Sequence, residues 1–175
     1  MKTLSTIAML FLLCLTAVGQ NQQAEVVKIR KAYATAKADA DKAMKDTDSM
    51  LGHMEVTASH VEPGIGPKKE TLHYYYRRIE DQATGMSRYQ PFLVTRKYNI
   101  AARDFYEEFL FKQDEGLNFF FQKNGANETR YYYWSTNGGG SHKVIKGDSM
   151  LDEVFALRLA TDISEAFHRL MNRDY

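Results

Sequence analysis

The chain has 175 residues, of which 23 are Lys or Arg and 22 are Asp or Glu. A balance this close gives no electrostatic case for nucleic acid or an anionic membrane as partner, and a single cysteine excludes a disulfide framework. The length suits one domain able to bury a core of its own.

Met1–Gly19 has the three parts of an export signal: Lys2, an apolar run from Ile7 to Leu15, and Ala17-Val18-Gly19 as a small-x-small cleavage site before Gln20. The run is too short to span a bilayer, and no later stretch replaces it. Cys14 has Leu13 before it, where lipid attachment wants a small residue, which argues against a lipoprotein. The expectation is a cleaved leader, 1–19, and one exported domain, 20–175, in a periplasm or at a cell surface. Without disulfides such a domain must rest on its core.

Ala24 to Asp46 reads as a helix, because Val26, Ile29, Tyr33, Ala36, Ala40 and Ala43 recur at spacings of three and four. Glu55 to His60 is a short candidate strand, followed by breakers at Pro63, Gly64, Gly66 and Pro67. Thr71 to Ile79 alternates as a strand, with Leu72, Tyr74 and Tyr76 on one face and His73, Tyr75 and Arg77 on the other. Pro91 to Ile100 alternates again, with Pro91 expected at the strand's first position. Four more strands follow at Phe105–Lys112, Leu117–Lys123, Thr129–Thr136 and Ser141–Ile145. Asp114-Glu115-Gly116, Asn124-Gly125 and Asn137-Gly138 supply the turns between them. With Gly116 left-handed, Gln113 faces Leu117, Phe111 pairs with Phe119, Phe109 with Phe121 and Glu107 with Lys123, an expected rim ion pair. Ser149 with Asp152 is a capping-box pattern for a last helix to about Asn172, whose apolar face is Phe155, Leu159, Ile163, Ala166, Phe167 and Leu170. The fold class is therefore α+β: an N-terminal helix, a curved antiparallel meander of six or seven strands, and a C-terminal helix packed on the sheet.

Chemistry-bearing motifs are scarce. The five histidines, His53, His60, His73, His142 and His168, have no metal-ligand spacing, so neither metal nor cofactor is expected. Glu165 and His168 stand three apart on a helix, but the further carboxylates of a metal bundle are missing. Gly138-Gly139-Gly140 precedes a strand, not the helix a phosphate loop requires. No serine has a Gly-x-Ser-x-Gly setting, and Glu107 and Glu108 fall on opposite sides of one strand, so they cannot flank one bond.

Aromatic strands carry the functional signal, since residues 71–136 hold 17 of the 22 aromatics. In Tyr74-Tyr75-Tyr76, Phe119-Phe120-Phe121 and Tyr131-Tyr132-Tyr133-Trp134, adjacent rings must point to opposite faces. Either helices cover both faces, or part of one stays open as a platform for an unknown protein, a glycan or an apolar ligand. On the second reading the chain is a non-enzymatic binding module, and Tyr74, Tyr76, Tyr106, Tyr132 and Trp134 are its candidate contacts. The alternative is a small hydrolase with a site assembled from His73, Glu108 and His142.

Overall fold

The structure, a computed structural model, describes residues 3–64, 66–80, 85–100, 103–135, 141–146 and 153–171, with side chains in 22–61, 63–64, 66–80, 85–100, 103–135 and 154–171. The element order is α1 (Thr3–Met44), β1 (Leu51–Glu62), β2 (Gly66–Glu80), β3 (Ser87–Ile100), β4 (Arg103–Phe111), β5 (Leu117–Asn124), β6 (Asn127–Ser135), β7 (Ser141–Lys146) and α2 (Glu153–Met171). All seven strands form one antiparallel sheet in sequence order, the meander expected from a chain of local hairpins. Among the described residues no helix is long and apolar enough to cross a membrane.

The two helices lie on opposite faces of the sheet. On one face Ala156, Ala160, Ile163 and Phe167 of α2 pack with Tyr74, Val94, Phe109, Phe111, Leu117, Phe120, Tyr131 and Tyr133. On the other, Val26, Ile29, Ala36 and Ala40 of α1 pack with Phe92, Leu93, Leu110, Phe119, Tyr132 and Trp134. Each aromatic triplet is thereby divided between two cores, as the period of two requires. Alanines at the contact positions of both helices let their axes come close to a sheet already crowded with rings.

Several boundaries differ from the sequence expectation. The first helix begins at Thr3, not Ala24, and the first strand runs over all of Leu51–Glu62. The breakers Pro63 and Gly64 form only a tight return, with Gly64 at φ 79° and Gly66 at φ 97°. Pro91 lies inside β3, not at its start. It sits where the β2–β3 register slips, Tyr75 facing Leu93 and Tyr76 facing Pro91, so the missing N–H falls beside a bulge at Phe92.

The β4–β5 hairpin is shifted too. Its loop is Gln113-Asp114-Glu115: Lys112 N donates to Gly116 O at 2.8 Å, and Glu115, not Gly116, is left-handed at φ 63°. Glu115 is held there from α2, where His168 Nε2 lies 2.5 Å and Ser164 Oγ 3.2 Å from its Oε2. A second slip at Asn118 leaves Leu110 opposite Phe119, Phe109 opposite Phe120 and Glu107 opposite Gln122. The expected Glu107–Lys123 pair is therefore not made, and Lys123 faces Tyr106. The apolar face of α2 is rotated from the expected one. Phe155 and Leu170 are exposed, while Ala156, Ala160, Ile163, Ser164 and Phe167 are buried. The expected cap at Ser149 and the turn at Asn137-Gly138 lie outside the described residues.

Candidate functional site

Of the five aromatic residues singled out by sequence, three are core. Tyr74 is 2%, Tyr132 2% and Trp134 8% exposed. Tyr74 packs on Phe167 with ring centroids 5.5 Å apart, and burial, then the Glu70 charge, pushes its phenol up to about 12. Tyr132 accepts a hydrogen bond from Arg30 Nε at 3.3 Å. Tyr76 is half-buried between Tyr89 and Phe167. Tyr106 lines an open groove, and Tyr132 borders a smaller hollow beside α1.

Two adjacent glutamates of β4 are buried on opposite faces. Glu107, 0% exposed, accepts from Arg96 Nη1 at 3.0 Å, Tyr98 OH at 2.9 Å and Gln122 Nε2 at 2.8 Å. Arg96 also donates to Glu70 at 2.7 Å and lies 4.2 Å over the Tyr98 ring. Glu108, 4% exposed, accepts from the hydroxyls of Tyr33 and Tyr106 and from Lys37 Nζ at 3.2 Å, which ties α1 to the sheet. Burial first, then the hydrogen bond to Glu108, raises the pKa of both Tyr33 and Tyr106 well above the usual tyrosine value. These phenols keep their protons and act as donors, so this is a fastening, not an acid–base pair.

The residues of the hydrolase reading do not converge. His73 and Glu108 share a face, but the cross-strand row runs His73, Thr95, Glu108, which leaves them two strand spacings apart, about 9–10 Å. His73 is bonded instead to His53, its Nδ1 to His53 Nε2 at 3.0 Å with the rings near parallel. The His142 side chain lies outside the described residues. Ser164 and His168 both bind one oxygen of Glu115, so the relay from serine through histidine to carboxylate is not formed. Among the described residues no group of three or more His, Cys, Asp or Glu is placed to hold a metal.

What the fold does build is a groove of about 790 Å³ at the end of the sheet where the β3–β4 and β5–β6 hairpins turn. Its lining includes Lys69, Lys97, Arg103, Asp104, Tyr106 and Lys123, with Phe105 stacked on Tyr98 at 4.9 Å and 5°. Lys69, Lys97, Arg103 and Lys123 are exposed, and among the described residues none makes an ion pair. Some surface charges elsewhere are matched locally, as in Lys28–Glu25, Lys42–Asp39 and Arg130–Glu128, while exposed cations such as Lys31, Lys45 and Arg88 stand apart from one another and from the groove. A smaller hollow lined by Lys37, His73, Tyr75 and Thr95 adjoins the groove through Lys97 and Tyr106. A volume of this size lies within the range of ligand clefts.

Sequence reasoning missed the groove because its cations stand singly on four different segments. Only the register brings Thr71, Lys97, Tyr106 and Lys123 into one cross-strand row. The chain matches no protein-family model, no curated protein sequence and no solved structure.

Proposed function

We propose that the chain is an exported, non-enzymatic binding module whose ligand lies in the groove formed by the hairpin ends of β2–β5. The observation that carries this reading is the convergence of Lys69, Lys97, Arg103 and Lys123, none of them in an ion pair among the described residues, around one groove in which the Tyr106 ring stands between Lys97 and Lys123. Unmatched charge beside a stiff apolar surface suits a ligand that brings both an anion and a ring. The aromatic faces of the sheet are taken up by α1 and α2, so recognition falls to the part that neither helix covers. Export rests on the leader pattern of Met1–Gly19.

The test is a thermal-shift screen of the purified chain against glycans, peptides and apolar ligands, repeated with Lys97→Ala and Arg103→Ala. A ligand at about 100 times its Kd stabilises by about 2.7 kcal/mol, or about 5–10 °C for a chain of this size. Hits should lose that shift in the two variants while unliganded stability stays unchanged. Hits that are indifferent to both variants would place the site elsewhere. Recovery from outside the inner membrane of a chain that begins at Gln20 is the matching result for export, and retention of an uncleaved chain inside the cell the contrary one.

A further inference from the structure

We infer that the ligand of this groove is an acidic polysaccharide, a linear sugar chain bearing repeated carboxylates or sulfates, laid across strands β2–β5; the inference rests on the groove being the ligand site. Lys97 and Lys123 flank Tyr106 in a single cross-strand row. They stand two strand spacings apart, about 9–10 Å, with Lys97 Nζ 5.9 Å from the centre of the Tyr106 ring. Lys69 and Arg103 extend the positive field to the sides of that row, and Asp104 is the one acid in the lining. The cations are therefore spread over the groove and not gathered at one point, which matches charges repeated along a polymer better than one compact anion.

Three of the four cations are lysines. An ammonium is a point charge that donates to a single carboxylate or sulfate oxygen from many directions, which suits anionic groups carried at intervals on a flexible chain. The Tyr106 ring stands between the two lysines of the row, an apolar partner for the C–H face of a sugar ring. The charge balance of the whole chain, 23 basic against 22 acidic residues, leaves no wider basic field to follow a phosphodiester backbone, which argues for a glycan over a nucleic acid.

Affinity electrophoresis of the purified chain through gels containing polygalacturonate, dextran sulfate, neutral dextran or oligothymidylate tests this. The groove variant is Lys97→Glu with Lys123→Glu, and the control is Lys28→Glu with Lys31→Glu on α1, which makes the same change in net charge. The expected result is retardation by polygalacturonate or dextran sulfate, weakened about tenfold in the groove variant and little in the control. Retardation should fade between about 0.1 M and about 1 M salt, as the Debye length shrinks from about 10 Å to about 3 Å. Which acidic gel holds the chain more strongly separates carboxylate from sulfate. Tighter retention by oligothymidylate, equal losses in both variants, or no retention by either acidic polymer would overturn the proposal. Retention by neutral dextran that Tyr106→Ala abolishes would keep the groove as the ligand site and overturn the acidic class alone.

Discussion

Replacing Glu107 with glutamine removes one charge from the middle of the sheet and almost nothing else. The carboxylate is 0% exposed; Oε2 takes Arg96 at 3.0 Å, and Oε1 takes Tyr98 at 2.9 Å and Gln122 at 2.8 Å. A glutamine can keep its oxygen toward Arg96 and turn its NH2 toward Tyr98, whose hydroxyl accepts after rotation, and toward Gln122, whose amide accepts after a flip. The shape survives, and the loss is the charge opposite a guanidinium whose side chain is 13% exposed. Orphaning one member of a buried pair costs about 3–5 kcal/mol. Arg96 retains Glu70 at 2.7 Å and the Tyr98 ring, which puts the expected cost near the lower end, about 3 kcal/mol, or about 6–12 °C in Tm. Glu108→Gln should cost only about 1 kcal/mol, because Lys37 is 44% exposed and can turn to water while one phenol still donates to the amide oxygen and the other accepts from the amide NH2 after rotation. Adding Arg96→Met to Glu107→Gln should cost less than the sum of the two single changes. Urea denaturation with linear extrapolation measures all four variants. A Glu107→Gln cost at or below about 1 kcal/mol, or equal costs at the two glutamates, would refute the assignment of the Arg96–Glu107 pair as the buried charge centre of the fold.

Other expectations follow from the same geometry. A Cβ on Gly52 would lie 2.3–2.5 Å from the Tyr76 ring, which Tyr89 and Phe167 hold in place, so Gly52→Ala should destabilise by about 1–3 kcal/mol; an unchanged urea midpoint would mean the ring is free to move. Ala160 of α2 is 3% exposed against the sheet, and Ala160→Leu should cost about 1–3 kcal/mol by forcing the helix outward, whereas the same change at exposed Thr161 should be nearly neutral. Tyr33, Tyr98 and Tyr106 have pKa values raised by burial and by their glutamate partners, so above about pH 10 the unfolded chain binds fewer protons than the folded one and stability falls as pH rises. Below that pH their contribution is intact. Tyrosinate absorbance should therefore rise for these residues only together with loss of the fold, and reversible ionisation near pH 10 in a folded chain would contradict it.

How much of this was legible depends on which information is local. The α1 stripe was readable because Val26, Ile29, Ala36, Ala40 and Ala43 are buried as their spacing demands. The strands were readable as runs of β-branched and aromatic residues between turns. Their extents were less so, since Leu51–Met54 and Gly66–Glu70 become strand by pairing with a neighbour, not by their own preference. Register was the main loss. Gly116 is the residue of the loop best suited to positive φ, yet Glu115 takes it because His168 and Ser164 of α2, far along the chain, hold its carboxylate. That one-residue displacement, with the bulge at Asn118, moves every pairing of β4 with β5 and conceals from sequence the row in which Lys97, Tyr106 and Lys123 meet.

The open groove has a cause in dimensions. Seven strands at about 4.8 Å make a sheet about 30 Å wide, and β2 with its 15 residues is about 50 Å long. A helix with its side chains is about 10–12 Å across, so one helix per face covers only part of such an area. On its face α1 steps across the sheet, from Tyr132 on β6 by way of Glu108 on β4 to Arg77 on β2, and the row of Tyr75, Leu93, Leu110, Phe119 and Tyr132 near it is apolar. One row farther out come His73, Thr95 and Glu108, and one more brings Thr71, Lys97, Tyr106 and Lys123. Polarity thus rises with distance from the helix, as it must where water replaces the covering layer. Solvation alone, however, would be served by charges of either sign. The cations gathered in that outer zone outnumber the acids beside them, Asp104 in the lining and Glu128 opposite Lys123, and that local surplus is the reason to look for an anionic ligand there and not over the buried rings.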